Sequence, residues 1–154
     1  MARLAAAFVA VLLIAAAPSY AAPDPAVSLL QEINAVRAKQ GLKPVRREAR
    51  LDRAARAHSK AMAEQNFFDH RGRDGKKVAD RLAMVGYGFQ VVGENIAAGM
   101  ESPATVVKQW LLSRGHRENL LEPRATEAGI GYVAVSDDKY RHYWTFIVAE
   151  PAKP

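Results

Sequence analysis

The stretch VVGENIAAG, Val91 to Gly99, has the composition of a buried β-strand except for one carboxylate. If side chains alternate along the strand without a bulge, Glu94 shares a face with Val92 and Ile96. A lone carboxylate on an apolar face is costly unless it is paired, hydrogen-bonded or protonated. Glu94 is therefore either a strand-end residue that reaches water or part of a polar site.

The segments on either side of this strand predict an α+β fold. Periodic apolar residues predict three helices before the strand and one after it, and two β-rich runs flanking Ser136–Lys139 predict a C-terminal hairpin. The predicted bounds are Pro25–Lys39, Glu48–Asn66 and Lys77–Val85 for the first three helices, Phe89–Ala98 for the strand, and Pro103–Leu112 for the fourth helix. Helices followed by strands mixed with helices favour an antiparallel sheet covered by helices.

The first 21 residues have the layout of a secretory signal peptide. Arg3 precedes an apolar run, Leu4 to Ala17, and cleavage after Ala21 leaves small residues before the cut. The run is short for a membrane span, which needs about 20 residues. We therefore predict a signal peptide over residues 1–21, one domain over residues 22–154 with no transmembrane segment, and export to the periplasm or the extracellular space. The absence of cysteine from an exported chain favours a bacterial source.

The formal net charge is +6, and much of the basic excess lies between residues 46 and 60. These basic side chains follow helical spacing and form one predicted stripe: Arg46, Arg50, Arg53, Arg56 and Lys60. One interpretation is a solvated helix face with Asp52–Arg56 and Lys60–Glu64 ion pairs. The other is docking to an anionic envelope polymer or to lipid headgroups. Nucleic-acid binding is not predicted, because the chain has neither a motif nor interleaved aromatic residues for it.

Histidines and a serine are the candidates for chemistry. His58 lies on the apolar face of the second helix, where a core histidine is expected. His70 lies in a polar loop after two phenylalanines, and His116 lies just past the fourth helix, at a chain turn. Two imidazoles and a carboxylate are a common zinc shell, so His70, Glu94 and His116 predict either a metal site or a polar cluster around water. Ser113 lacks a G-x-S-x-G elbow, so a helix-terminal role is favoured over a nucleophile.

Five blocks occur in order along the chain: INAVRAKQGLKPV from Ile33, AARAHSKAMAEQNFFDH from Ala54, RLAMVGYGFQVVGENIAAG from Arg81, VVKQWLLSRGHRENLLEP from Val106, and AGIGYV followed by YWTFIVA from Ala128. Together they resemble the CAP superfamily (cysteine-rich secretory proteins, antigen 5, pathogenesis-related 1) in its cysteine-free bacterial, SCP-like form. The resemblance covers about Val27 to Ala149. It implies an α–β–α sandwich with a central antiparallel sheet flanked by helices and an open cleft.

In many members of this family the cleft holds two histidines and two glutamates that bind a divalent metal, often zinc. By the resemblance, His70, Glu94 and His116 match three of these residues. The second glutamate of eukaryotic members comes three residues after the helix tryptophan, and here Trp110 is followed at that place by Ser113. A neutral hydroxyl replaces a carboxylate poorly opposite a dication, so the resemblance implies only weak zinc binding.

The resemblance does not imply one biochemical activity, since fold alone does not determine function. We expect an exported, monomeric, non-enzymatic module that binds a small ligand, a lipid or an anionic envelope component in the cleft lined by His70, Glu94 and His116. One alternative is a metal-dependent hydrolase of the peptidase or esterase kind in the same cleft, with Glu94 as ligand or general base. Another is a cell-surface interaction protein that uses the basic helix face.

Overall fold

A computed structural model describes residues 23–153, and the predicted signal peptide lies outside these residues. The helices are α1 (Pro25–Lys39), α2 (Ala49–Glu64), α3 (Val78–Met84), α4 (Pro103–Leu112) and α5 (Arg114–Leu120). The strands are β1 (Arg46–Arg47), β2 (Phe89–Ala98), β3 (Glu127–Ala134) and β4 (His142–Pro151). Within residues 23–153, no helix is both long enough and apolar enough to cross a membrane.

The four strands form one sheet in the order β1-β3-β4-β2, with β4 paired to a neighbour on each side. The pairs β2–β4 and β3–β4 are antiparallel, and the two-residue β1 lies parallel to β3. Glu94 on β2 is opposite Ile147, and Glu127 on β3 is opposite Ala149. Directly opposed residues share a face, and residues two apart along a strand do so too. Both glutamates therefore project from the same face of the sheet.

Apolar side chains cover both faces of the sheet, and β4 contributes to each. Trp144 and Phe146 pack in the cluster formed with α1 and α4, which includes Trp110. Ile147 and Ala149 point the other way and pack against α2 and α3. Helices on both faces of a mainly antiparallel sheet confirm the predicted fold class, an α–β–α sandwich.

Two glycines of β3 let helix α2 approach the sheet closely. A Cβ added at Gly129 would lie 2.1 Å from the carbonyl carbon of Leu51, and one at Gly131 would lie 2.3 Å from that of Ala55. Four helical residues rise about 6 Å and two strand residues rise about 6.7 Å, so the two spacings match along the contact. Any side chain at either glycine would push α2 away from β3.

The strand over Phe89–Ala98 and the C-terminal hairpin confirm the predictions, whereas two short elements were not predicted. One is β1, whose two residues are too few to give a periodic pattern. The other is α5, which contains His116: this residue does lie just past the fourth helix, as predicted, but in a further short helix and not at a chain turn. Ser113 has an extended backbone (φ −97°, ψ 127°) and separates α4 from α5, and Gly115 lies within α5.

One predicted ion pair on α2 is absent. Asp52 pairs with Arg47 instead of Arg56, with 2.7 Å between Oδ2 and Nη2. Its other oxygen accepts a hydrogen bond from the backbone N–H of Ile130 at 2.8 Å. The close approach of β3 brings that N–H within reach, which an intrahelical pairing rule does not consider. Asp52 therefore links the helix to the sheet.

The rest of the predicted basic stripe is mostly solvated. Lys60 and Glu64 form the expected pair, with 3.6 Å between Nζ and Oε1. Arg46 lies on β1, before the helix, so its predicted place in the helical stripe is wrong; it pairs with Glu127 at the sheet edge while its side chain remains 77% exposed. Arg53 and Arg56 are exposed and lie outside the ion pairs found in the described part of the chain. Their exposure makes this pair a useful matched control for charge substitutions elsewhere.

Candidate functional site

Glu94 lies in the middle of β2, and its side chain is only 3% exposed. One oxygen, Oε1, accepts a hydrogen bond from Nδ1 of His70 at 2.9 Å. The other, Oε2, is bonded to Nη2 of Arg81. Glu94 is therefore not a strand-end residue that reaches water; it is buried and paired on both oxygens.

The partners of Glu94 determine its protonation state. Burial by itself raises the pKa of this carboxyl, but the hydrogen bond from His70 and the charge of Arg81 oppose burial and leave the pKa below its usual value. Glu94 is thus an ionised acceptor at neutral pH. An ionised carboxylate cannot donate, so Nδ1 of His70 carries the shared proton.

Arg81 is the buried cation of this site, and sequence-based reasoning did not identify it. It comes from α3 and is 9% exposed as a residue. Besides the bond to Glu94, Nη1 donates to the carbonyl oxygens of His70 and Lys76, both at 3.1 Å. Its Nε is buried and lacks a hydrogen-bond partner among the described residues. Arg81 therefore joins α3, the polar loop and β2, although an arginine in a short helix is normally solvated.

His58 supports the loop from below. It is 2% exposed, and Nε2 lies 3.0 Å from the carbonyl oxygen of Asp69. Its ring packs edge-on against Phe67 with centroids 6.0 Å apart. Burial and the charge of Arg81 lower the pKa of His58. The prediction of a core histidine is confirmed, and the residue also fixes the chain just before His70.

His116 lies beside His70 and makes no hydrogen bond to the carboxylate of Glu94. Its ring centroid is 6.5 Å from that of His70 and 6.5 Å from that of Trp110. Burial, followed by the neighbouring His70, lowers the pKa of His116. Asn95 fixes the position of the helix, since its Nδ2 donates to the carbonyl oxygen of His116 at 2.9 Å.

Asn119 ties α5 to the strand that carries Glu94. Its Nδ2 donates to the backbone oxygen of Glu94 at 3.1 Å and to Oδ1 of Asn95 at 2.9 Å. The side-chain amides of Asn95 and Asn119 thus link α5 to residues 94 and 95 of β2. The signal available in the sequence is the pair GEN and REN, in which an asparagine follows each glutamate.

An open groove of about 550 Å³ lies along this site. Its walls are the polar loop, the start of α3, the middle of β2 and one residue of α5. The His70 side chain is 53% exposed, so the ring reaches solvent on the side away from Glu94. The groove therefore offers His70 Nε2 to a ligand while Glu94 stays behind it.

A zinc ion does not fit all three predicted ligands in this arrangement. Both oxygens of Glu94 already accept hydrogen bonds, one of them from a guanidinium that repels a cation. Across residues 23–153, no group of three or more histidine, aspartate or glutamate side chains has the geometry to hold a metal. Only the imidazoles of His70 and His116 remain as donors. Weak zinc binding stays a prediction, and it rests on two ring nitrogens.

Ser113 does not complete a catalytic arrangement. It is exposed at the junction of α4 and α5, and its side chain makes no capping hydrogen bond. A nucleophilic serine requires a hydrogen bond to its base, which in turn needs an orienting group. Glu94 orients His70 instead, on the loop side of the site. The position matched to the second glutamate is therefore a helix junction.

Comparison with known proteins gives a consistent family and fold. A family model described as the cysteine-rich secretory protein family, CAP, matches residues 30–148. The uncharacterized protein YkwD of Bacillus subtilis is 44% identical over 100 residues, which are 65% of this chain and 39% of that protein. This chain thus spans well under two thirds of that relative's length.

Two solved structures are similar over most of this chain. An extracellular protein containing a SCP domain from Bacillus anthracis superposes with a TM-score of 0.72 at 30% identity, covering 81% of this chain and 40% of that one. An outer surface protein of Borrelia burgdorferi gives a TM-score of 0.74 at 22% identity, covering 80% of this chain and 90% of that one. The second likeness concerns the fold alone.

Proposed function

This chain belongs to the cysteine-rich secretory protein (CAP) family, and from that premise we propose that it is an exported, non-enzymatic binding module whose ligand enters the groove beside His70. Export is supported by the predicted signal peptide. It is also supported by the similar protein of Bacillus anthracis, which is described as extracellular.

The hydrogen bond between His70 and Glu94 carries the proposal. Because Glu94 accepts the hydrogen bond from Nδ1–H of His70, Nε2 is the nitrogen left for the groove, where it is an acceptor in the neutral form of the ring. The hydrogen bond made by one ring nitrogen of a histidine fixes the tautomer and so decides what the other nitrogen presents to a ligand. The site thus supplies an oriented polar group to a ligand.

The same residues favour binding over catalysis. Hydrolysis needs an activated nucleophile or a polarised water, together with a group that protonates the leaving atom. Both oxygens of Glu94 already accept hydrogen bonds, and the partners His70 and Arg81 hold its pKa below the usual value, which makes it a poor base toward water. Turnover of a peptide or ester substrate that depends on Glu94 would replace this proposal with the hydrolase alternative.

The proposal is tested with soluble fragments of bacterial envelope, both muropeptides and anionic wall polymers. Amide chemical shifts of the purified chain should change with saturation at residues 69–78 and 92–94. His70→Ala should weaken this binding at least tenfold, because it removes the oriented acceptor. His142→Ala is the matched control, since this histidine lies on β4 beside Tyr132. Shifts confined to the α2 surface would contradict the proposal.

A further inference from the structure

The loop between α2 and α3 carries four basic side chains that fall into two groups. Lys76 is neutralised by Asp74, with 2.6 Å between Nζ and Oδ2. Arg73 lies over the ring of Phe67, 5.4 Å from its centroid. The remaining two are exposed and line the groove: Arg71 and Lys77. Two of the four cations thus make local contacts within the loop, and the other two face the groove.

Arg71 and Lys77 have no ion-pair partner in the part of the chain that the structure describes. The one other carboxylate on the groove wall besides Glu94 is Asp69. Its Oδ1 accepts the backbone N–H of Arg71 at 2.8 Å, which fixes the turn and leaves the Arg71 guanidinium available. The groove wall therefore presents two side-chain cations and one exposed carboxylate.

Glu94 adds no net charge to this wall. Its negative charge is cancelled by Arg81, which is nine-tenths buried directly behind it. With that pair neutral, Arg71 and Lys77 outweigh Asp69, and the groove carries a net positive charge. A concave wall with a net charge of one sign attracts ligands of the opposite sign.

We propose that the groove binds an oxyanion of its ligand, a phosphate or a carboxylate, with Arg71 and Lys77 as the counter-ions. This inference rests on the proposed function and names the ligand class. Guanidinium and ammonium groups both bind oxyanions through charge-assisted hydrogen bonds. Nε2 of His70 is an acceptor on the same wall, so it takes a hydroxyl or amide N–H next to the oxyanion.

The first experiment titrates the purified chain with inorganic phosphate, and separately with acetate, at constant ionic strength. Amide shifts at residues 69–78 should saturate with at least one of the two anions. The double variant Arg71→Gln/Lys77→Gln should weaken binding at least tenfold. Arg53→Gln/Arg56→Gln removes the same charge from exposed arginines of α2 and should change affinity less than twofold. Equal losses in both double variants would overturn the proposal, because the effect would then be net charge alone.

The source of the oxyanion is separated with lipid vesicles. Binding to phosphatidylglycerol vesicles but not to phosphatidylcholine vesicles, weakened tenfold in Arg71→Gln/Lys77→Gln, supports the proposal and assigns the oxyanion to a lipid headgroup. Phosphate or acetate binding without vesicle binding also supports it and assigns the oxyanion to a soluble or polymeric ligand. No saturable binding of any of these probes overturns it.

Envelope fragments distinguish this inference from the proposed function. If His70→Ala abolishes fragment binding while Arg71→Gln/Lys77→Gln leaves it unchanged, the groove binds a ligand of another class and the inference fails alone. If phosphate saturates the groove but envelope fragments bind elsewhere, the inference holds and the proposed function fails.

Discussion

Two buried glutamates of the same sheet, Glu94 and Glu127, differ in which of their two hydrogen-bond partners is exposed to solvent. As whole residues, Glu94 on β2 and Glu127 on β3 are both 8% exposed, and they project from the same face, one on either side of β4. Each accepts a hydrogen bond from an arginine and from one ring-bearing side chain. For Glu127 these are Arg46 at 2.8 Å and the Tyr87 hydroxyl at 2.7 Å.

The exposed partner is the arginine at Glu127 and the ring-bearing residue at Glu94. At Glu127 the arginine is 77% exposed and Tyr87 is 3% exposed, whereas at Glu94 Arg81 is buried and the His70 side chain is 53% exposed. Burial and the hydrogen bond to Glu127 raise the pKa of Tyr87, so this phenol stays neutral. Of the two buried carboxylates, only Glu94 therefore has a ring-bearing partner, His70, that is exposed and lines a groove.

The largest effect is expected for Arg81→Met, which leaves Glu94 buried without its cation. Removing one partner of a buried ion pair costs about 3–5 kcal/mol, so the free energy of unfolding should fall by that amount in denaturant titrations. Arg46→Met should cost below about 1 kcal/mol, because that arginine is mostly solvated. Equal losses would mean that the two clusters do not differ as described.

Tyr87→Phe should have the next largest effect on stability. It leaves an oxygen of Glu127 without its buried donor, and a hydrogen bond to a charged group contributes about 1.5–3 kcal/mol. Thermal or denaturant unfolding measures the loss. Ligand binding at the groove should be unchanged in this variant, and a parallel loss of binding would show that the Glu127 cluster belongs to the site.

His70→Ala should show the opposite pattern, with stability reduced by less than about 1 kcal/mol and groove binding reduced at least tenfold. The exposed imidazole can be replaced by water at Glu94, whose charge Arg81 still balances. Chemical denaturation and ligand titration of the same preparation provide the two readouts. A stability loss as large as that of Arg81→Met would make His70 a structural residue.

The cluster around Glu94 should also make the free energy of unfolding depend on pH near neutrality, through His58. The pKa of His58 is lowered from 6.5 by burial and by Arg81, so the unfolded chain binds a proton before the folded chain does. Stability is therefore complete above about pH 6.5 and declines as the pH falls toward the folded-state pKa. Denaturant midpoints between about pH 7.5 and 5 should fall in the wild type and fall less in His58→Gln. Identical slopes would contradict this assignment.

Zinc should give the smallest effect. With only two imidazoles available, uptake measured by calorimetry should be weak and should disappear in His70→Ala. Glu94→Gln should weaken it by about tenfold, because the variant loses the carboxylate that orients His70, although Glu94 itself is not a free ligand. A loss of zinc affinity of a hundredfold or more in Glu94→Gln would show that the carboxylate turns from Arg81 to the metal.

Much of the fold follows from local patterns. The alternation over Phe89–Ala98, the hairpin around Ser136–Lys139 and the helix that begins at Pro103 were all predicted from residues near in sequence. The predicted Asp52–Arg56 pair is wrong because β3, distant in sequence, supplies a better partner for Asp52. The i,i+4 pairing rule describes an isolated helix, whereas Asp52 lies where α2 packs against β3.

The site was predicted less completely than the fold. His70, Glu94 and His116 were named from their residue types and from the family resemblance, and the structure brings the first two into contact and the third to within 6.5 Å of His70. The burial of Arg81 cannot be predicted from the sequence, because nothing in the seven residues of α3 indicates which side chain is buried. Its burial depends on the fold of the loop that it anchors through two carbonyl oxygens.

Short-range periodicity and ordered blocks of residues were enough to establish the family, the α–β–α arrangement and one acidic residue that had to be paired inside a strand. These features can be recognised without coordinates, because they depend on local periodicity and on the order of short blocks along the chain. Three-dimensional packing was needed to show which cation pairs with Glu94, which charges of the polar loop remain free and therefore what kind of ligand the groove fits. Those outcomes depend on burial and on contacts between residues 13 or more positions apart, since desolvation and charge pairing act through space.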